Sequence, residues 1–215
     1  MTTARAVAFI DGNNWYHSLR AIGVPDPGRL DYAKITRKLV RHRTWIGTRY
    51  YIGQVEQSGD NALYAAQRRF LHRLRGMGPL ISVHFGRLEQ RKTRNAAAAE
   101  LQQLLGGLKV RMDHETYGAL AALARSHRET VLFVEKAVDV MLAVDMVVMA
   151  ERDEFDTAYL LSADGDFTPA VEAIRRHGKQ VFAVAGRPGG QLRRVCNAFL
   201  HIDKAWLRDC YLDDG

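Results

Sequence analysis

Short runs of β-branched and aliphatic residues alternate with longer helical stretches along most of this chain. That alternation is the signature of a parallel sheet covered by helices. The run Ala6 to Ile10 is apolar throughout, as a strand buried on both faces must be. A helix is predicted from Asn14 to Ile22, and Pro25, Pro27 and Gly28 then break the chain. Asp31 reads as the N-cap of a helix that reaches Val40. Thr48 to Ile52 and Leu80 to Phe85 read as the second and third strands. Between them lies an amphipathic helix over Asp60 to Met77, closed by Gly76 and Gly78. Further on, the pattern predicts a helix from about Lys136 to Ala150 and a strand from Ala158 to Leu161. A helix from Phe167 to His177 follows, ended by Gly178, and then a strand from Gln180 to Ala185. The chain closes with a helix from Gln191 to Phe199, a short strand near His201 and Ile202, and a final helix.

The order lapses between Gly86 and Thr130. Arg87, Arg91, Lys92 and Arg94 are followed by AAAAELQQLL and then ETYGALAALARSHRE, which read as two helices inserted into the α/β core. The expectation is one domain over residues 1–215 with a helical insertion at about 87–130, in keeping with a length of 215 residues. Only five apolar residues separate Arg5 from Asp11, too few for a signal-peptide core, and no apolar run approaches the roughly 20 residues of a membrane span. Cys196 and Cys210 lie far apart with no metal-ligand spacing, as in proteins of a reducing compartment. A cytoplasmic protein with no membrane contact is therefore expected. The net charge of +7 favours an anionic partner such as nucleic acid but suits a basic soluble enzyme equally well.

Open parallel sheets carry their sites beyond the carboxyl ends of the strands, at the switch in strand order. Asp11 occupies that place in FIDGNN, and Asp164 and Asp166 occupy it in SADGDF. If those two strands are neighbours, carboxylates from distant parts of the chain converge. Asp139, early in EKAVDVMLAVDM, sits among Val138, Val140 and Leu142, a poor place for an idle charge. Clustered carboxylates raise one another's pKa unless something positive sits among them, and hard oxygen donors suit Mg²⁺ or Mn²⁺. A divalent ion held this way activates water and stabilises charge on a phosphoryl oxygen. The sequence contains no phosphate loop of the GxxxxGK[ST] type, no HExxH and no GxSxG. Metal-assisted phosphodiester hydrolysis is the chemistry these aspartates fit.

Each residue also has a plainer reading. Asp11 caps the helix that begins near Asn14, and Asp166 caps the helix that begins at Phe167. Asn14 either holds a carboxylate or starts its helix; Ser162 either donates to a neighbouring aspartate or ends its strand. Asp145 points roughly 120° away from Asp139 around the helix, so a supporting or capping role suits it as well as ligation. Glu135 and Lys136 fit the site mouth or an ordinary first turn. Trp15, with Tyr16 and His17 beside it, offers a ring to stack on an unpaired base, or packs inside. Arg87, Arg91, Lys92 and Arg94 form one basic group, and Arg193 and Arg194 follow the last core strand beside a Gly-Gly pair. These arginines and the lysine suit phosphate contact or a solvated surface.

Taken together and in this order, FIDGNN, EKAVDVMLAVDM and LLSADGDFTPAVEAIRRHGKQV resemble the NYN domain family of the PIN-like nucleases, above all its bacterial LabA-like branch. The closing GGQLRRVCNAFLHID is similar to the same branch, and only Gly86–Thr130 stays unmatched. The resemblance implies a PIN-like three-layer α/β/α sandwich with a central, mainly parallel sheet. It also implies an acidic Mg²⁺ or Mn²⁺ site and cleavage of RNA, single-stranded or structured. The family's first-strand aspartate and asparagine fall on Asp11 and Asn14. Its helix aspartates fall on Asp139 and Asp145, with Ala137 where glycine is commoner, and its last pair falls on Asp164 and Asp166, with Ala163 where glycine is frequent.

The expectation is a metal-dependent ribonuclease, an endonuclease, with Asp11, Asp139, Asp164 and Asp166 as metal ligands and Asn14, Asp145 and Ser162 in support. Its rival is a regulatory RNA-binding module with a vestigial site. A HAD-type phosphatase needs a second aspartate where Asn13 stands, and a Toprim nuclease needs a glutamate after its first strand. The Ala- and Leu-rich insert fits substrate binding, capping of the site or a homodimer interface.

Overall fold

The computed structural model describes residues 3–55, 61–108, 112–126 and 129–212. These group into two compact units, Met1–Arg87 with Lys136–Gly215, and Leu88–Glu135.

In the larger unit, β1 (Arg5–Asp11) is the apolar strand that the sequence predicts, buried on both faces from Ala6 onward. It pairs in parallel with β2 (Thr44–Gln54) on one side and β5 (Thr157–Leu161) on the other. β3 (Ile81–Arg94) extends the sheet beyond β2, while β6 (Gln180–Ala185) and β7 (Ala198–His201) extend it beyond β5. The strand order β3-β2-β1-β5-β6-β7 is parallel at every pairing. It reverses direction at β1, so the crevice between the ends of β1 and β5 is the switch point.

Alternate residues of β1 feed two cores. Ala6, Ala8 and Ile10 pack with α1 (Gly12–Ala21), α2 (Tyr32–Val40) and α3 (Asn61–Gly76). Val7 and Phe9 pack with α6 (Val138–Glu151) and α7 (Thr168–Arg176) on the other face. The result is a mainly parallel α/β/α sandwich. Asp31 caps α2 as predicted, its Oδ1 accepting from the N–H groups of Ala33 and Lys34 at 2.8 and 3.0 Å. Gly178 closes α7 at a positive φ of 74°.

The smaller unit holds the far part of β3, then α4 (Ala96–Leu108), α5 (His114–Ser126) and β4 (Glu129–Lys136), which stands next to β3 in the strand order. The two helices expected in the insertion are present and pack on each other. The strands around them are corrections to the sequence reading. β3 continues through Arg94, and Glu135 and Lys136 belong to β4, so α6 begins only at Val138. The run Thr130 to Val134, three β-branched residues with Leu132 and Phe133, carries the sequence signal of β4. The predicted start of α3 at Asp60 lies outside the described residues.

Two more corrections concern the carboxyl-terminal part. The helix expected over Gln191–Phe199 is only a single turn, α8 (Leu192–Val195). Asn197 diverts the chain into the sheet edge: its N–H donates to the Val181 carbonyl at 2.8 Å, and its side-chain oxygen accepts from Val181 N–H at 2.9 Å. The final helix is instead a series of turns from Lys204 to Asp209. Asp203 Oδ1 accepts there from Trp206 N–H at 2.7 Å, and a bridge between Leu30 and Tyr211 draws the chain away. Among the described residues no helix is long and apolar enough to cross a membrane.

The step from β1 into α1 requires glycine because of a close approach. A Cβ on Gly12 would lie 2.6 Å from the Tyr51 carbonyl oxygen and 2.7 Å from the Tyr50 ring. Replacing Gly12 with Ala is expected to cost about 2 kcal/mol of stability or more, because backbone on one side cannot retreat. A urea denaturation midpoint that stays at the wild-type value would refute this account of the turn.

Candidate functional site

Asp11 ends β1 and does two jobs. Its Oδ1 accepts from Asn14 N–H at 3.1 Å, capping α1, while its Oδ2 accepts from the Ser162 hydroxyl at 3.0 Å. Ser162, fully buried just past β5, also accepts from Asp164 N–H at 3.1 Å. Asn14 Oδ1 accepts from Ala163 N–H at 3.1 Å. The turn after β1 and the turn after β5 are thus laced together, and Asn14 and Ser162 hold both turns in place. The capping reading and the site reading of Asp11 are both correct, one for each oxygen.

Asp164 caps the 3-10 turn Gly165–Phe167 by accepting from Asp166 N–H at 3.0 Å. The cap expected of Asp166 therefore falls to Asp164, and Asp166 is left exposed at the rim. Asp139 lies in the first turn of α6, whose N-cap, Ala137, has a left-handed φ of 67°. This is the position where the resembled family more often has glycine, and the backbone explains that preference.

Asp11 and Asp139 both feel neighbouring carboxylates. Burial pushes the Asp11 carboxyl up to about 6, and the charges of Asp139 and Asp164 add to that, against the hydrogen bonds from Asn14 and Ser162. Asp139 is raised by burial first and then by Asp164 and Asp166. Among the described residues, no Lys, Arg or His makes a hydrogen bond or ion pair to any of the four. Also among the described residues, no three His, Cys, Asp or Glu side chains are grouped closely enough to form a ready metal cage. The donor set nonetheless fits a divalent ion. It consists of hard oxygens around one buried carboxylate that no described cationic side chain neutralises.

Asp145 is not brought to this group. It lies six residues further along α6, on another side of the helix, where it accepts from Tyr51 Oη at 2.7 Å and from Arg49 Nη2 at 2.8 Å. Burial alone would raise its carboxyl, but the bonds from Tyr51 and Arg49 hold it below the usual range. Tyr51 stacks on His84 with ring centroids 4.7 Å apart, and Asp11, Tyr51 and His84 share one register level across β1, β2 and β3. Sequence reasoning missed this network. Its only signal was Arg49, a charge inside an otherwise apolar and aromatic strand.

Trp15 is a further correction: it is fully buried in the core, so its ring cannot receive a base. Tyr16, next in the chain, is 46% exposed and stands edge-on to His17. Arg193 and Arg194 are exposed on α8, two and three residues after Gln191, which lies beside Gly165. The side chains of Arg87, Arg91, Lys92, Arg94, Glu135 and Lys136 lie outside the described ones.

A mainly parallel α/β/α sandwich with aspartates at its switch point is the architecture of the PIN-like class. Residues 116–203 match the model of the NYN domain, the family that the motifs resemble. The match contains Asp139, Asp164 and Asp166; Asp11 precedes it and is joined to it by the Ser162 hydroxyl. The fold is similar to the crystal structure of a protein of unknown function from Vibrio parahaemolyticus RIMD 2210633. The TM-score is 0.59 at 20% identity, covering 98% of this chain and 97% of that one. None of the curated proteins matches the chain.

The raised carboxyl of Asp11 has a consequence for stability. The folded chain keeps a proton there that the unfolded chain releases between about pH 4 and pH 6, so stability falls as pH rises through that window. At most about 3 kcal/mol is lost above it, one pH unit being worth about 1.4 kcal/mol. Substituting Asp11→Asn is expected to raise the melting temperature of the metal-free protein at pH 8 and leave it nearly unchanged at pH 4. Melting curves in EDTA check this, and an equal difference from wild type at both pH values would contradict it.

Proposed function

We propose that this protein is a metal-dependent ribonuclease of the LabA-like branch, an endonuclease that hydrolyses phosphodiester bonds in single-stranded or structured RNA. The observation that supports this reading is the meeting of the turns after β1 and β5 at the switch point, where the buried Asp11 carboxylate lies with Asp139 and Asp164 near enough to raise it and no cationic side chain among the described residues pairs with it. Asp11, Asp139, Asp164 and Asp166 would hold Mg²⁺ or Mn²⁺, directly or through water. Once bound, such an ion supplies Lewis-acid stabilisation of charge on the phosphoryl oxygens and a more acidic water.

The protein's own groups do the rest. Asn14 N–H and the Ser162 hydroxyl fix both oxygens of Asp11, so that the buried carboxylate is aimed before anything binds. The Asp11 carboxyl, at about 6, exchanges its proton near neutral pH. Asp166, free of a capping duty and exposed, is the carboxylate that incoming RNA meets at the rim. Arg193 and Arg194 beside the Gly165 turn are suited to phosphate contact there.

One observation favours the second reading, a regulatory RNA-binding module: no three ligand side chains among the described residues form a ready metal cage. Labelled single-stranded RNA incubated with Mn²⁺, Mg²⁺ or EDTA separates the two. The nuclease reading expects metal-dependent internal cleavage that falls at least 100-fold in Asp139→Asn and in Asp164→Asn, each with wild-type circular dichroism. RNA binding with no cleavage in any metal would leave the regulatory module standing.

A further inference from the structure

An acidic switch point repels a polyanion, so the attraction that brings RNA to this protein must come from elsewhere on its surface. Some cations of the larger unit are held by carboxylates. Arg5 and Lys179 bind Asp153 and Asp156, Lys38 binds Asp209, and Arg49 binds Asp145. α3 differs. Its sequence, NALYAAQRRFLHRLRG, carries four arginines and a histidine with no carboxylate. Leu71 and Leu74 are buried beneath it, and Arg73 turns inward to donate to the Gly28 carbonyl at 3.1 Å. Arg68, Arg69, His72 and Arg75 are left exposed, at spacings that place them along one side of the helix.

None of these four makes an ion pair among the described residues. Aromatic rings support two of the guanidinium groups: Arg68 lies 5.9 Å from the Tyr64 ring centroid and Arg75 lies 5.8 Å from that of Phe85. Gln67 fixes the helix against the sheet. Its Nε2 donates to the Gly53 carbonyl at 2.7 Å, and its Oε1 accepts from Val55 N–H at 2.9 Å. Gly53 is two residues beyond Tyr51, the register partner of Asp11. Arg68 and Arg69 therefore stand at the same rim of the sheet as the acidic group, and Arg75 lies about 10 Å further along the helix axis.

We propose that the outward face of α3 is the track for the phosphodiester backbone of the RNA, with Arg68, Arg69 and Arg75 as the phosphate contacts. This rests on RNA being the substrate, and it deepens that reading by naming where the strand lies away from the scissile bond. The contact is to backbone charge, so it is independent of base sequence.

The test is fluorescence anisotropy of 5′-labelled oligouridine RNA, and of the matching DNA, titrated with the full chain in EDTA at several salt concentrations. Wild type is compared with the triple variant Arg68→Gln, Arg69→Gln, Arg75→Gln. A control triple, Arg20→Gln, Arg176→Gln, Arg208→Gln, removes the same charge from exposed sites on other elements. Circular dichroism melts confirm that both variants fold. The α3 variant is expected to bind at least tenfold more weakly near 0.1 M salt, with its slope of log affinity against log salt reduced by about 2, three contacts at roughly 0.7 each for a single strand. The control is expected to keep the wild-type slope.

An unchanged slope in the α3 variant overturns the proposal, as does an equal loss in the control. So does a wild type that binds vesicles rich in phosphatidylserine but no nucleic acid. Weakening of RNA and DNA binding by a similar factor in the α3 variant, with the control unchanged, supports it. A protein that cuts RNA yet binds equally well without the α3 arginines keeps its nuclease assignment and loses the track. One that binds through α3 and never cuts keeps the track and loses the nuclease.

Discussion

The hydrogen bond from the Ser162 hydroxyl to Asp11 Oδ2 is the contact on which this architecture converges. It joins residues 151 positions apart in the chain, and it exists only because β1 lies between β2 and β5 with the strand order reversing around it. The strands on either side of that crevice are apolar along their length, so the first polar groups after them meet at its mouth. A carboxylate buried there to 2% exposure is costly, and two donors reduce that cost without removing it. The remaining strain appears as a carboxyl raised to about 6, in a form that a cation can relieve.

Charge is distributed unevenly over the larger unit. Among the described residues, Asp139 and Asp166 at the switch point and the outward arginines of α3 make no ion pair, as is true of several other exposed arginines, while Arg5, Lys38, Arg49 and Lys179 pair with carboxylates locally. The Arg49–Tyr51–Asp145 cluster is a local pairing of this sort. It ties the middle of α6 to β2 and so helps to fix the helix whose first turn presents Asp139.

Much of this was legible in the sequence, for identifiable reasons. A strand buried on both faces has to be continuously apolar, so β1 and β5 stood out, and with them the aspartates just past their ends. Caps such as Asp31 are local and therefore readable. What could not be read depended on distant partners. β7 forms because Asn197 finds Val181 across the sheet, and the helical propensity of the preceding residues yields to that pairing. Asp145 has the spacing of a helical residue near the site, but Arg49 and Tyr51, remote in sequence, decide its role. Trp15 follows the turn that carries Asp11 and is nonetheless core, because α1 turns that side chain onto the sheet.

The central claim is that Asp11, Asp139, Asp164 and Asp166 act as one cation-seeking group. The most direct measurement is calorimetric titration of Mn²⁺ into the metal-free protein at pH 6 and pH 8, in buffers of differing ionisation enthalpy. The account expects saturable binding, net proton release at pH 6 that vanishes at pH 8, and loss of both in Asp11→Asn. Absence of saturable binding, or binding undiminished in that variant, would contradict it.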